Sequence, residues 1–104
     1  GESSCMKNSI GEFRKTEHFI FRQWDRSIND KLLTIILKKI PSNKKKTLLI
    51  ISKRVLKKIN KKINKELFIK VDGNVLITCF YCDISDYRNK NAKQEYLIIN
   101  NIKL

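Results

Sequence analysis

The dipeptide Asp72-Gly73 separates two runs, LFIKV and NVLITCFYCDI, that are rich in β-branched and aromatic residues. Asp-Gly in that setting signals a tight hairpin, because glycine accepts the positive φ that the turn requires. An antiparallel strand pair is therefore expected there, and the remaining segments must pack around it. Residues 47–51 (TLLII) form a short apolar run that reads as a further strand, and EYLIINNIKL, after the polar loop SDYRNKNAKQ, reads as the last. Helical patterns precede and interrupt the strands. Thr16 suits an N-cap, with Glu17 in the first turn behind it. The polar corner Ser27-Ile28-Asn29-Asp30 ends one helix and caps the next. Leu32, Leu33, Ile36, Leu37 and Ile40 then recur at helical spacing until Pro41-Ser42-Asn43. Val55, Leu56, Ile59 and Ile63 give SKRVLKKINKKINKE one apolar side and a lysine-rich opposite side. The order of helices, strand, helix and strands predicts an α+β fold with N-terminal helices packed on a small twisted antiparallel β-sheet.

A chain of 104 residues makes one domain with a single modest core. Residues 1–12 are polar, contain Gly11 as a breaker and are expected to be a flexible N-terminal segment, leaving 13–104 as the domain. The opening GESSC has no initiating Met, as either a cloning remnant or a domain cut from a longer polypeptide would. The net charge is +13, from 23 Lys and Arg against ten acids. Such a field draws polyanions: nucleic acid, an anionic membrane or a strongly acidic protein. An AT-rich genome would also raise Lys and Asn, but it does not account for where the arginines stand. Residues 38–65 hold 12 of the Lys and Arg, so the positive field concentrates there.

Residues 16–26, TEHFIFRQWDR, contain the chain's one histidine and one tryptophan. In a helix, at about 100° per residue, His18, Arg22 and Arg26 fall within one narrow arc with Asp25 beside His18. Ile20, Phe21, Trp24 and Ile28 fall opposite, and that side is expected to be buried. The first arc gathers an imidazole, a carboxylate and two guanidinium groups whose forked donors match phosphate oxygens in pairs. A surface helix whose His18 and Arg22 merely cap or pair gives the same pattern.

Several chemistries lack their residues. No G-x-S-x-G motif supplies a nucleophile, and three scattered glycines make no Walker or Rossmann phosphate loop. The ten acids show no cluster of the kind metal-dependent nucleases use. Cys79 and Cys82 spell C-x-x-C, and Cys5 with His18 would complete four zinc ligands; but within a strand, positions three apart point to opposite faces. No metal or cofactor is expected. No apolar run approaches the roughly 18 residues of a membrane span, and the lysine-rich helix lacks an aromatic anchor, so stable membrane insertion is not expected. Metal-free phosphate chemistry remains. In RNA the 2′-hydroxyl can attack the adjacent phosphorus once a base takes its proton, while cations stabilise the developing charge.

The pattern H-x-x-x-R-x-x-x-R with its polar corner and apolar helix (HFIFRQWDRSINDKLL), the strand leading into SKRVLKKI, and LFIKVDGNVLITCFY resemble the toxin ribonucleases of the RelE-like and colicin-like fold group. The likeness is greatest to the C-terminal toxin domains of contact-dependent inhibition and other polymorphic toxin systems, and it covers residues 11–100. It implies a small metal-independent endoribonuclease, often directed at tRNA, with a four- or five-stranded antiparallel sheet. It also implies an acidic immunity protein or antitoxin as partner, and delivery from a secreted or cell-surface protein into the cytoplasm of a target cell. Carried over by position, it puts His18, Arg22 and Arg26 on the catalytic helix and Thr78 facing the cleft. Ser52, Lys53 and Arg54 would supply phosphate-binding groups, with Lys57 and Tyr81 also on the RNA. This chain has no second histidine, so the general acid is open among Lys53, Arg54, Tyr81 and Tyr96. The rival reading is a non-catalytic nucleic-acid-binding module that uses residues 38–65 as a phosphate-positioning face.

Overall fold

The computed structural model describes residues 8–38, 46–90 and 96–99. Its elements, in chain order, are β1 (Ser9–Ile10), β2 (Phe13–Lys15), α1 (Glu17–Asp25), α2 (Asp30–Leu37), β3 (Lys46–Ile51), α3 (Lys53–Ile59), β4 (Glu66–Asp72), β5 (Val75–Cys82), α4 (Ile84–Lys90) and β6 (Tyr96–Ile99). The fold is α+β. At its centre stands the hairpin announced by Asp72-Gly73: Asp72 pairs with Val75, and Gly73 takes φ +63° to turn the chain. β3 lines up antiparallel on the other side of β4, and the complete sheet has the order β1-β2-β5-β4-β3-β6.

The sheet is mixed, where an antiparallel one was expected, because β2 runs parallel to β5 and β6 parallel to β3. The β6 pairing has a topological cause. β5 and β6 point the same way, so the chain between them must cross the sheet, and a crossover needs a dozen or more residues and commonly a helix. Residues 83–95 meet that need, and their first half is α4 rather than the loop expected from its polarity. Ile84 and Tyr87, three apart, are the side chains it lays on the sheet, against Leu48, Ile50, Phe68 and Phe80. The Phe68 ring stacks on Phe80 at 5.1 Å and meets Tyr87 at 4.7 Å.

The opposite face carries the main core. Leu49, Ile51, Leu67, Ile69, Val71, Leu76 and Cys79 meet Phe19 of α1, the leucines of α2, and Val55 and Leu56 of α3. α2 buries Leu32, Leu33, Ile36 and Leu37 as their spacing predicts, behind an Asn29 cap that accepts from Leu32 N at 2.8 Å. Ile40 and the Pro41-Ser42-Asn43 stop lie outside the described residues. α3 ends at Ile59, well short of the amphipathic run, because Asn60 takes extended backbone and its Oδ1 accepts from Lys62 N at 3.0 Å. Lysines crowd that stretch, and like charges a turn apart disfavour its helical form. Ile63 still packs against the core. Within segment 1–12, expected to be loose, residues 9–10 pair with β2 across Gly11 (φ +57°), and Ile10 and Phe13 are buried; residues 1–7 lie outside the described residues.

α1 is rotated from the expected orientation. Phe21 is 55% and Trp24 67% exposed, while Phe19 and Gln23 are fully buried. Two polar contacts fix this rotation. β5 carries a bulge: Lys70 faces Thr78 and Val71 faces Leu76, which leaves Ile77 without a partner on β4. Thr16 Oγ1 donates to the Ile77 carbonyl at 2.9 Å and also caps α1 by accepting from Phe19 N at 3.0 Å. Farther along, Gln23 Nε2 donates to Asp30 Oδ1 at 2.6 Å, beside a 2.5 Å ion pair from the fully buried Lys15 ammonium to the same oxygen. Buried charge needs such partners. A glutamine thus takes the inward position that hydrophobicity alone would assign to Trp24.

Candidate nucleic-acid interface

The Gln23 contact decides where the basic stripe of α1 points. Gln23 leans toward β2 and α2, and Arg22, about 100° round the helix, lies on the other flank. Arg22 is half-buried, and its charge is felt at Cys79 on the sheet: burial pushes that thiol up to about 12, and the positive charges of Lys15 and Arg22 work against the rise. His18 and Arg26 continue the stripe one turn to either side, roughly 5–6 Å between neighbours. Both are exposed, and Arg26 Nε stands 3.7 Å from Asp25 Oδ2.

Beyond the C-terminal end of α1, the chain turns at Ser27 with φ +55° and opens a cavity of about 370 Å³ lined by Ser27, Asn60, Lys62, Ile63, Asn64, Lys65 and Tyr81. Burial, then the neighbouring Cys79, raise the Tyr81 phenol above its ordinary value, so its O–H remains a donor at neutral pH. Asp83 follows β5 at this end of the sheet. Hydrogen bonds from Ser85 Oγ (3.0 Å) and Ser85 N (3.3 Å) hold its carboxyl below the usual range; Lys53 and Lys65 add to this through their charge. One end of the sheet therefore collects Ser27, Lys53, Lys62, Lys65 and Tyr81, next to Arg26. Cationic donors around a cavity, with amide and hydroxyl groups between them, can hold the oxygens of a phosphodiester.

The residues singled out from the sequence divide accordingly. Tyr81 lines the cavity, and Lys53 acts through its charge, with Lys65, on the neighbouring Asp83. His18, Arg22 and Arg26 form a stripe on α1 whose far end, His18, is two turns away. Arg54 and Lys57 are exposed on α3. Ser52 is an N-cap: its Oγ accepts from Arg54 N at 3.2 Å, and its backbone N donates to Ile99 O at 2.9 Å. Thr78 does not face this cleft. It pairs with Lys70 and lies two residues from Phe80, so it sits on the α4 face, opposite α1. The Tyr96 side chain lies outside the described residues. Asn60, Lys62, Asn64 and Lys65 fall within the run that the sequence reads as a continuing helix with a lysine-rich side; the two asparagines are the signal that it stops. Cys79 belongs to the main core and Cys82 to the α4 face, as strand alternation predicts. Among the described residues, no group of three or more His, Cys, Asp and Glu is placed to hold a metal ion, and no helix is long and apolar enough to cross a membrane.

Cys79 has a measurable consequence. Unfolded, a thiol titrates near its ordinary 9.0, while in the fold this one titrates at about 12. Between those pH values the unfolded chain binds fewer protons, so the stability it contributes is whole below pH 9 and is lost as pH rises through 12. Tyr81 and Tyr87, both raised from 10.0, act in the same sense from higher pH. In urea melts taken across this range, Cys79→Ala is expected to flatten the first part of the decline, between pH 9 and 10.

Compared with known proteins, the chain matches no family model, no curated protein and no solved structure.

Proposed function

We propose that this chain is a metal-independent endoribonuclease of the toxin type, acting on RNA, with tRNA the expected target, by attack of a 2′-hydroxyl on its neighbouring phosphorus. The observation that carries the reading is that Arg26 leads directly into Ser27, so the C-terminal end of the His18–Arg22–Arg26 stripe adjoins the cavity lined by Lys62, Lys65 and Tyr81. In this reading His18 takes the 2′-hydroxyl proton, Arg22 and Arg26 hold the phosphoryl oxygens as charge develops, and Tyr81 gives a proton to the leaving 5′-oxygen. Lys53, Arg54 and Lys57 hold flanking phosphates. The positive field also fits an acidic inhibitor protein, whose association would be fast and salt-sensitive.

The test is incubation of purified protein with total RNA in EDTA. Fragments ending in 2′,3′-cyclic phosphate are expected, and a substrate with a 2′-deoxy sugar at the scissile position should stay intact. One observation favours the rival reading, a non-catalytic RNA-binding module: His18 sits two turns from the cavity that holds Tyr81. Intact RNA bound with a steep salt dependence would select that module.

A further inference from the structure

Among the described residues the exposed large hydrophobic side chains are Phe21, Trp24 and Leu97, and the first two sit together on α1. Their ring centroids are 6.4 Å apart with planes at 42°, so the rings do not cover one another. Going round the helix from Arg22, His18 and Asp25 come next, then Phe21, then Glu17 and Trp24, about 160° from Arg22. The aromatic pair thus occupies the outward side of α1, beyond the basic stripe.

We propose that Phe21 and Trp24 are a stacking platform for unpaired bases of single-stranded RNA, drawn to this surface by the positive field of the chain. The inference rests on the RNA-directed reading above and deepens it by naming the substrate class. Three features favour bases over a protein partner. The patch is two rings interleaved with Glu17, His18 and Asp25, whereas the core of a protein interface is depleted of charge. Every base has a π-face that fits an open ring, and stacking tolerates sequence. A net charge of +13 brings a polyanion to this surface. The two carboxylates do not block it: Asp25 is paired with Arg26, and Glu17 lies in the first turn, where the helix dipole holds it.

Trp24 is the chain's one tryptophan, so its emission reports on this site alone. The probe is a 2′-O-methyl oligo(A), which cannot be cleaved by 2′-hydroxyl attack; the controls are the same strand annealed to its complement, and dextran sulfate. The single strand is expected to quench Trp24 emission, and neither control to do so. Trp24→Ala should bind the single strand about 5- to 100-fold more weakly, in line with the loss of one stacked base, with duplex binding unchanged; Trp24→Phe should restore most of the loss. Equal quenching by duplex or dextran sulfate, wild-type single-strand affinity in Trp24→Ala, or emission indifferent to all three probes overturns the platform. The last is what a protein-docking patch would give. Because the probe is not cleaved, platform and enzyme fail separately. Quenching by a protein that leaves natural RNA intact removes the ribonuclease reading alone, and cleavage without a Trp24 response removes the platform alone.

Discussion

His18→Ala is expected to lower RNA cleavage by roughly two to four orders of magnitude, the range usual for a positioned acid or base. RNA affinity should hardly change, since most of it comes from cations elsewhere: Lys53, Arg54, Lys57, Lys62 and Lys65 are all exposed. Arg22→Ala and Arg26→Ala should reduce the rate more than the affinity, as groups aimed at developing charge do. Tyr81→Phe keeps the ring's packing against the main core and removes only the hydroxyl. Its effect should therefore appear in the rate of leaving-group departure and vanish with a substrate whose leaving group needs no proton. Single-turnover cleavage of a labelled RNA, alongside filter binding of an uncleavable analogue, separates the two quantities. If His18→Ala cleaves as fast as wild type, the mechanism fails, and the binding module becomes the better account of the basic surface.

Phe19→Ala is expected to lower stability by about 3–5 kcal/mol, the usual cost of emptying a fully buried aromatic site. In a domain of this size that is a fall in Tm of about 4–8 °C for each kcal/mol. Trp24→Ala, two-thirds exposed and away from any core, should stay within roughly 0.5 kcal/mol of wild type. Thermal or urea unfolding of the two variants side by side measures the rotation of α1 directly. A large loss in Trp24→Ala together with a small one in Phe19→Ala would mean that the helix turns its other side to the sheet.

Much of the architecture could be read in advance wherever apolar spacing and turn chemistry agreed. The Asp72-Gly73 hairpin, the apolar face of α2 and the strand at 47–51 are cases in which local preference and tertiary packing favour the same state. The failures came where a polar contact outweighed hydrophobicity. α1 was turned the wrong way because Gln23 is matched to Asp30, a partner seven residues on that no periodicity reveals. α4 was missed because only Ile84 and Tyr87 of its polar sequence touch the sheet. At the site, the His18–Arg22–Arg26 stripe was legible because i, i+4 spacing is local. Thr78 falls on the face away from the cleft, and Lys62 and Lys65 leave the helix that their sequence suggests, because assigning them needs the sheet's faces and the helix's end at Asn60.

The bulge at Ile77 sets the phase of β5. In a regular strand, residues three apart look in opposite directions, yet Leu76 and Cys79 share the main core because Ile77 is the extra residue between them. Everything beyond it is advanced by half a period. Were Ile77 paired in a regular ladder instead of bulged, the strand would present Phe80 and Cys82 to α1, and Cys79 and Tyr81 to α4. The phenol that lines the basic cavity would then stand behind the sheet. One unpaired residue thus anchors α1 through its carbonyl and also determines which side of the sheet Tyr81 serves.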